Sequence, residues 1–121
     1  MRIFKNPWFT RFANKEGITD AELKETVNQL EAGQADADLG GGVYKVRVAR
    51  SGEGKSGGYR VIVFFKSEER TFFRYGFAKS TLGNINKGEL KVMKRQAKKY
   101  FSQSDEQIKI QLMNGTLLEI T

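Results

Sequence analysis

Four cations in the middle of the chain, Lys45, Arg47, Arg60 and Lys79, have the types and spacing to act together on an anion. Lys45 and Arg47 stand two residues apart, so in a strand they point to one face. Arg60 opens the apolar run after Gly58 and Tyr59, and Lys79 closes the strand that follows. In an antiparallel meander these strand ends converge on a shallow patch, flanked by Arg50 and Lys55 from the connecting loop. Like charges gathered at one spot repel unless an anion sits among them, and an RNA phosphate is a suitable anion. Such a patch can also do chemistry. Cleavage of RNA by its own 2′-hydroxyl needs a base for that hydroxyl, stabilisation of charge at phosphorus, and a proton for the leaving 5′-oxygen. Arginine clamps a phosphate bidentately, and a lysine crowded by other cations gives up its proton more readily and so becomes a base. Tyr59 and Tyr75 are candidates to stack a nucleobase or donate a proton. Spacing alone leaves three readings open: catalysis, RNA binding without catalysis, and polar residues on the open face of a half-buried sheet.

What the chain lacks narrows the chemistry further. Its 121 residues hold no Cys and no His. Disulfides, thiolate nucleophiles and cysteine-based zinc sites are therefore excluded, and the commonest general base and metal ligand is missing. No metal or cofactor is expected. The formal net charge is +7, and it is unevenly spread. Residues 41–104 carry fifteen Lys and Arg against four Asp and Glu, a net of +11. The segments on either side are each slightly acidic, at −2. One contiguous basic block suits a polyanion, and nucleic acid is the obvious one. A solvated surface kept for solubility is the plainer alternative. The opening Met1-Arg2-Ile3-Phe4-Lys5-Asn6-Pro7 has a charge and a proline where a signal peptide needs an apolar run, so a cytoplasmic location is expected. The stretch from Ala49 to Ser56, with Gly54-Lys55-Ser56 at its end, fits a relaxed phosphate-binding loop. That motif works by opening a helix, whereas Gly57-Gly58 and a strand-like run follow here, so nucleotide hydrolysis is set aside.

The elements that would position these cations can be read from periodicity. Residues 2–5 predict a short strand, and Trp8, Phe9 and Phe12 a short helix through about Lys15. Thr19 with Glu22 forms a capping box for a second helix, Ile18 and Leu23 a hydrophobic staple, and Leu23, Val27 and Leu30 its core stripe, with Gly33 at C′. Residues 34–42 read as a loop. The period then becomes two: Val43–Ala49, Tyr59–Phe65 and Arg70–Lys79 predict three strands, the last with Phe73, Tyr75, Phe77 and Lys79 on one face. Residues 86–101 return to helical spacing, with Leu90, Met93, Ala97 and Tyr100 inward. Lys91, Lys94 and Arg95 on its outer face are candidate phosphate contacts, although a solvated face is the default for such a helix. A short helix from Ser104, capped with Gln107, and a last strand over 116–120 complete the chain. The expected fold is α+β in one domain over 1–121: a mostly meander antiparallel sheet, two N-terminal helices packed on one face, and a basic C-terminal helix. The strands 2–5 and 116–120 are expected at the sheet edges, where a partner could dock.

Three stretches taken in order carry a family resemblance: Leu39-Gly40-Gly41-Gly42-Val43-Tyr44-Lys45-Val46-Arg47, Gly54-Lys55-Ser56-Gly57-Gly58-Tyr59-Arg60-Val61-Ile62-Val63, and Tyr75-Gly76-Phe77-Ala78-Lys79. With the opening Phe9-x-x-Phe12-Ala13 and Ile18-Thr19-Asp20, they resemble the RelE-like toxins of type II toxin–antitoxin systems, nearest the HigB-like branch, over nearly the whole chain. The resemblance implies the RelE fold and, in many members, a ribosome-dependent endoribonuclease that cuts mRNA. By that resemblance Arg60 stabilises the phosphate, Lys45 and Arg47 are the basic pair with Lys45 as base, and Lys79 is the cation closing the later strand. It also implies a cognate antitoxin, often with a helix-turn-helix domain. From its size alone, the free toxin is expected to be a monomer. The C-terminal Tyr, Arg or His that several such enzymes carry near the patch has no evident counterpart here. The same fold hosts ParE-like toxins that inhibit gyrase and cut no RNA, and fold alone does not choose between them.

Overall fold

The computed structural model describes the backbone of residues 1–50, 54–78 and 85–121, and the side chains of residues 1–48, 58–78 and 85–121. The elements run β1 (Arg2–Lys5), α1 (Pro7–Glu16), α2 (Asp20–Glu31), β2 (Ala37–Gly40), β3 (Val43–Arg50), β4 (Gly54–Lys66), β5 (Arg70–Ala78), α3 (Lys87–Phe101), α4 (Asp105–Asn114) and β6 (Leu118–Ile120). Each described helix begins on a side-chain cap, which satisfies backbone donors the helix itself cannot. Asn6, Thr19, Asn86 and Ser104 accept from the third residue onward, and Thr19–Glu22 and Ser104–Gln107 are full capping boxes. Pro7, expected to end the first strand, also opens α1, where its missing N–H costs nothing.

The strands form one six-stranded sheet in the order β2-β3-β4-β5-β1-β6. β3, β4 and β5 form the three-stranded antiparallel meander that the alternation predicts, and β2 adds a fourth strand beside β3. β1 joins it parallel to β5, and β6 pairs antiparallel with β1. β1 is therefore interior, contrary to the expectation for residues 2–5, while β6 is an edge and β2 is the other. β2 itself replaces part of the loop expected over 34–42. Gly40, Gly41 and Gly42, with φ of 89°, 62° and 82°, turn it straight back into β3 in a conformation that side chains disfavour.

Two cores lie on opposite faces of the sheet. α1 and α2 cover one, with Phe9, Leu23, Val27 and Leu30 against Val46, Val48, Val61, Val63 and Phe73. α3 and α4 cover the other, with Met93, Ala97 and Ile108 against Val43, Ile62, Phe64 and Phe72. The helices thus occupy both faces of the sheet, and the basic helix α3 supplies the second layer.

One irregularity decides which side chains share a face. Ile62 is in register with Tyr75 while the next residue, Val63, faces Phe73, so Arg74 is an extra residue in β5. Such a bulge shifts the alternation by one. Phe73 consequently lies in the α1/α2 core, whereas Tyr75 and Phe77 pack on the α3/α4 side. The expectation that all three share a face is corrected by that one residue.

Candidate active site

β3 and β4 build the site. Tyr44, Val46 and Val48 point into the α1/α2 core, so Lys45 and Arg47 between them face the other side of the sheet. Arg47 lies directly across from Arg60. Opposed like charges destabilise a sheet unless a counter-charge intervenes, and Asp36 provides it. Its Oδ1 accepts from Arg47 Nε at 2.9 Å, and its Oδ2 lies 3.7 Å from Arg60 Nε. The carboxylate is held there because the Asp36 N–H donates to the Lys45 carbonyl at 2.9 Å, immediately before β2 starts.

Arg60 is the unusual member. Its side chain is only 9% exposed, and its Nη1 is buried without a hydrogen-bond partner among the described residues. A guanidinium brings five donors, and one carboxylate oxygen at 3.7 Å leaves most of that capacity unused. A buried donor left unmade costs about 1–3 kcal/mol, a strain that an acidic oxygen at this spot relieves. Lys45 is half-buried, between Ala37 and Ile62 on the neighbouring strands, and forms no hydrogen bond or ion pair among the described residues. Phe77 lies across from Arg60 on the other flank, and Tyr75 across from Ile62. Three cations, one carboxylate and two aromatic rings therefore share one sheet face.

The remaining expected residues divide. Tyr59 neighbours Arg60 in the strand and so points the opposite way. It is 3% exposed in the α1/α2 core, edge-on to Phe12, with its hydroxyl 3.4 Å from the Glu16 carboxylate. A role in stacking RNA does not suit that position. Arg50 and Gly54 pair across the β3–β4 hairpin, which brings Arg50 and Lys55 to its far end, although both side chains lie outside the described residues. Lys79 also lies outside them. Gly54-Lys55-Ser56 sits in β4, with no helix following, as the rejection of a nucleotide-binding loop requires. Lys91, Lys94 and Arg95 are exposed on α3. Lys94 crosses the Gly40–Gly41 turn and, with Lys98, Phe65 and Phe101, lines a cavity of about 570 Å³, away from the Arg60 patch. Asp36 is the participant that sequence reading missed. The alternation Ala35-Asp36-Ala37-Asp38 is a period-two signal that could have marked a short strand with its acids on one side.

The described residues thus make a six-stranded α+β sheet with helices on both faces and a group of cations around Arg60, midway along β4 rather than at the strand start that the sequence suggests. The family model described as RelE toxin of the RelE/RelB toxin–antitoxin system matches residues 1–120. The chain belongs to the RelE toxin family, and is the toxin member of a pair whose other half is an antitoxin. Among the described residues no helix is long and apolar enough to cross a membrane.

Proposed function

We propose that this toxin is an endoribonuclease that cuts mRNA by attack of a 2′-hydroxyl on its own 3′-phosphate. The observation that carries the reading is the opposed pair Arg47 and Arg60 on a single carboxylate, with Arg60 Nη1 buried and without a hydrogen-bond partner among the described residues. A scissile phosphate takes the place that Asp36 now fills, and its non-bridging oxygens accept from both guanidiniums. Lys45 is assigned to remove the 2′-hydroxyl proton. The 2′-oxygen bonds to phosphorus, the bond from phosphorus to the 5′-oxygen breaks, and that oxygen leaves with a proton from water, while Lys45 later returns its proton to solvent. The products are a 2′,3′-cyclic phosphate and a 5′-hydroxyl. Lys79, the next residue after β5 ends, and Arg50 and Lys55 at the hairpin end are assigned to backbone phosphates on either side. Lys91, Lys94 and Arg95 on α3 extend the basic surface. Ribosome-bound mRNA is the assigned substrate and a helix-turn-helix antitoxin the assigned restraint, both supported by the family resemblance.

The test is induced expression in a permissive host, with growth and transcript 5′ ends followed for wild type, Arg60→Ala and Arg60→Lys. Growth arrest with new ends inside translated mRNA is expected for wild type only, because Lys keeps the charge but not the bidentate fork. Undiminished toxicity of a folded Arg60→Ala protein refutes the assignment. Arrest with intact transcripts contradicts it too, in favour of a protein target such as gyrase.

A further inference from the structure

Trp8 is the chain's single tryptophan and is 38% exposed, although the neighbouring Phe9 is fully buried. Its position is fixed from below. β1 pairs with β5 only as far as Lys5 opposite Phe73, so beyond that point β1 no longer flanks β5. The start of α1 closes over that flank: the Asn6 side chain donates to the Arg74 carbonyl at 3.0 Å while its Oδ1 accepts from the Phe9 N–H at 2.7 Å. Trp8 then stacks on Phe12, with centroids 5.4 Å apart and planes 13° apart, and leans on Tyr75 at 4.5 Å. Phe12 in turn lies so close over Gly76 that a Cβ there would meet its ring at 2.4 Å. Tyr75 continues to Phe77 at 6.0 Å, and Phe77 is in register with Arg60. The Arg74 bulge is what turns Tyr75 to the Arg60 face.

We propose that Trp8 and Tyr75 form a stacking platform for an unpaired nucleobase next to the phosphate held at Arg60. The proposal rests on the ribonuclease reading for its ligand, a single-stranded RNA. Bases splayed from single strands are held by rigid aromatic faces beside cations, without regard to sequence. Each condition is met. Trp8 is backed by Phe12, the file runs from Trp8 through Tyr75 to Phe77 and Arg60, and exposed Arg11 follows Trp8 at i+3 on the same side of α1. Two strand spacings of about 4.8 Å each separate Tyr75 from Lys45 across Ile62, which is the scale of a neighbouring nucleotide.

The single tryptophan is its own reporter. A fully 2′-O-methylated single-stranded RNA, which cannot be cleaved by the proposed route, is titrated into the free toxin while Trp8 emission is followed. Saturable quenching is expected, together with loss of the quench and about tenfold weaker binding when one abasic position falls on the platform. With a fluorescein-labelled copy of the same RNA, Trp8→Phe keeps near wild-type affinity and Trp8→Leu loses about tenfold. Bound RNA without quenching, or equal affinity of Trp8→Leu, overturns the platform, as does quenching by the antitoxin but not by RNA. The two readings separate cleanly. Cleavage that persists unchanged in Trp8→Leu removes the platform alone, whereas quenching without any cleavage by wild type removes the ribonuclease and leaves the platform.

Discussion

Replacing Asp36 by Asn should move stability and RNA affinity in opposite directions. The carboxylate joins two cations, Arg47 at 2.9 Å and Arg60 at 3.7 Å. At 3.7 Å an ion pair is worth about 4 kcal/mol at an effective dielectric near 20. Water competes for much of that, because the Asp36 side chain is 19% exposed and that of Arg47 46%. A net loss of about 1–2 kcal/mol remains, between the small value of surface pairs and the larger cost of orphaning a buried charge. For a domain of this size that lowers Tm by roughly 3–10 °C. Asn keeps an oxygen for Arg47 Nε, so the fold should persist. The same change removes the anion that a phosphate must displace. Anisotropy titration with non-cleavable RNA at fixed salt should therefore show tighter binding, by several fold, beside the lower Tm in calorimetry. Weaker binding by a folded Asp36→Asn protein would mean that Asp36 shapes the site rather than occupying the phosphate's place, and the reasoning fails.

Two further predictions concern the frame around the site. Gly76→Ala drives a methyl to within 2.4 Å of the Phe12 ring, which Trp8, Phe9 and Tyr59 already hold at centroid distances of 5.4, 5.7 and 5.5 Å. Overpacking of about 1–3 kcal/mol, reduced by the stiffer unfolded chain, should lower the urea midpoint and shift Trp8 emission. An unchanged spectrum and midpoint would show that Phe12 has room to move. The hydrogen-bonded pair with Arg2 holds the Glu119 carboxyl below the usual carboxylate range, and the Glu68 N–H, then the Ser67 hydroxyl, do the same for Glu31. A folded pKa below the unfolded one gives stability that is present above the unfolded value and lost as pH falls through the folded value. Urea midpoints should thus decline as pH drops below about 4.5, the ordinary Glu value. Glu119→Gln should flatten part of that decline, and an identical pH profile in the variant would show that the pair contributes nothing.

The local signals in the sequence carried far. Thr19–Glu22 and Ser104–Gln107 announced two helix starts because a capping box is a contact between residues three apart. Tyr44, Val46 and Val48 gave the faces of β3, and with them the placement of Lys45 and Arg47, because strand alternation is local. Arg60 emerged as the residue beside a buried strand that had to answer for its charge. What stayed hidden depends on distant partners. The Arg74 bulge changes the face of every later residue in β5, and no pattern in that strand marks it. β1 becomes interior because β5 and β6 close on it from residues about seventy and more than one hundred positions away. β2 is only four residues long, and the brief Ala35-Asp36-Ala37-Asp38 alternation beside the three glycines reads as a loop, so Asp36 was missed along with it. Tyr59 looked available because it stands beside Arg60, yet adjacency in a strand sends the two side chains to opposite faces.

The most direct test of the central claim is the chemistry of the cut ends. Purified toxin is incubated with a programmed ribosome complex, and separately with the same mRNA free, and the fragments are analysed by mass spectrometry. The account predicts a 2′,3′-cyclic or 3′-phosphate on one fragment and a 5′-hydroxyl on the other, formed without added metal and lost in Arg60→Ala. A 3′-hydroxyl with a 5′-phosphate, or no cleavage in either setting, contradicts attack by the 2′-hydroxyl at this site.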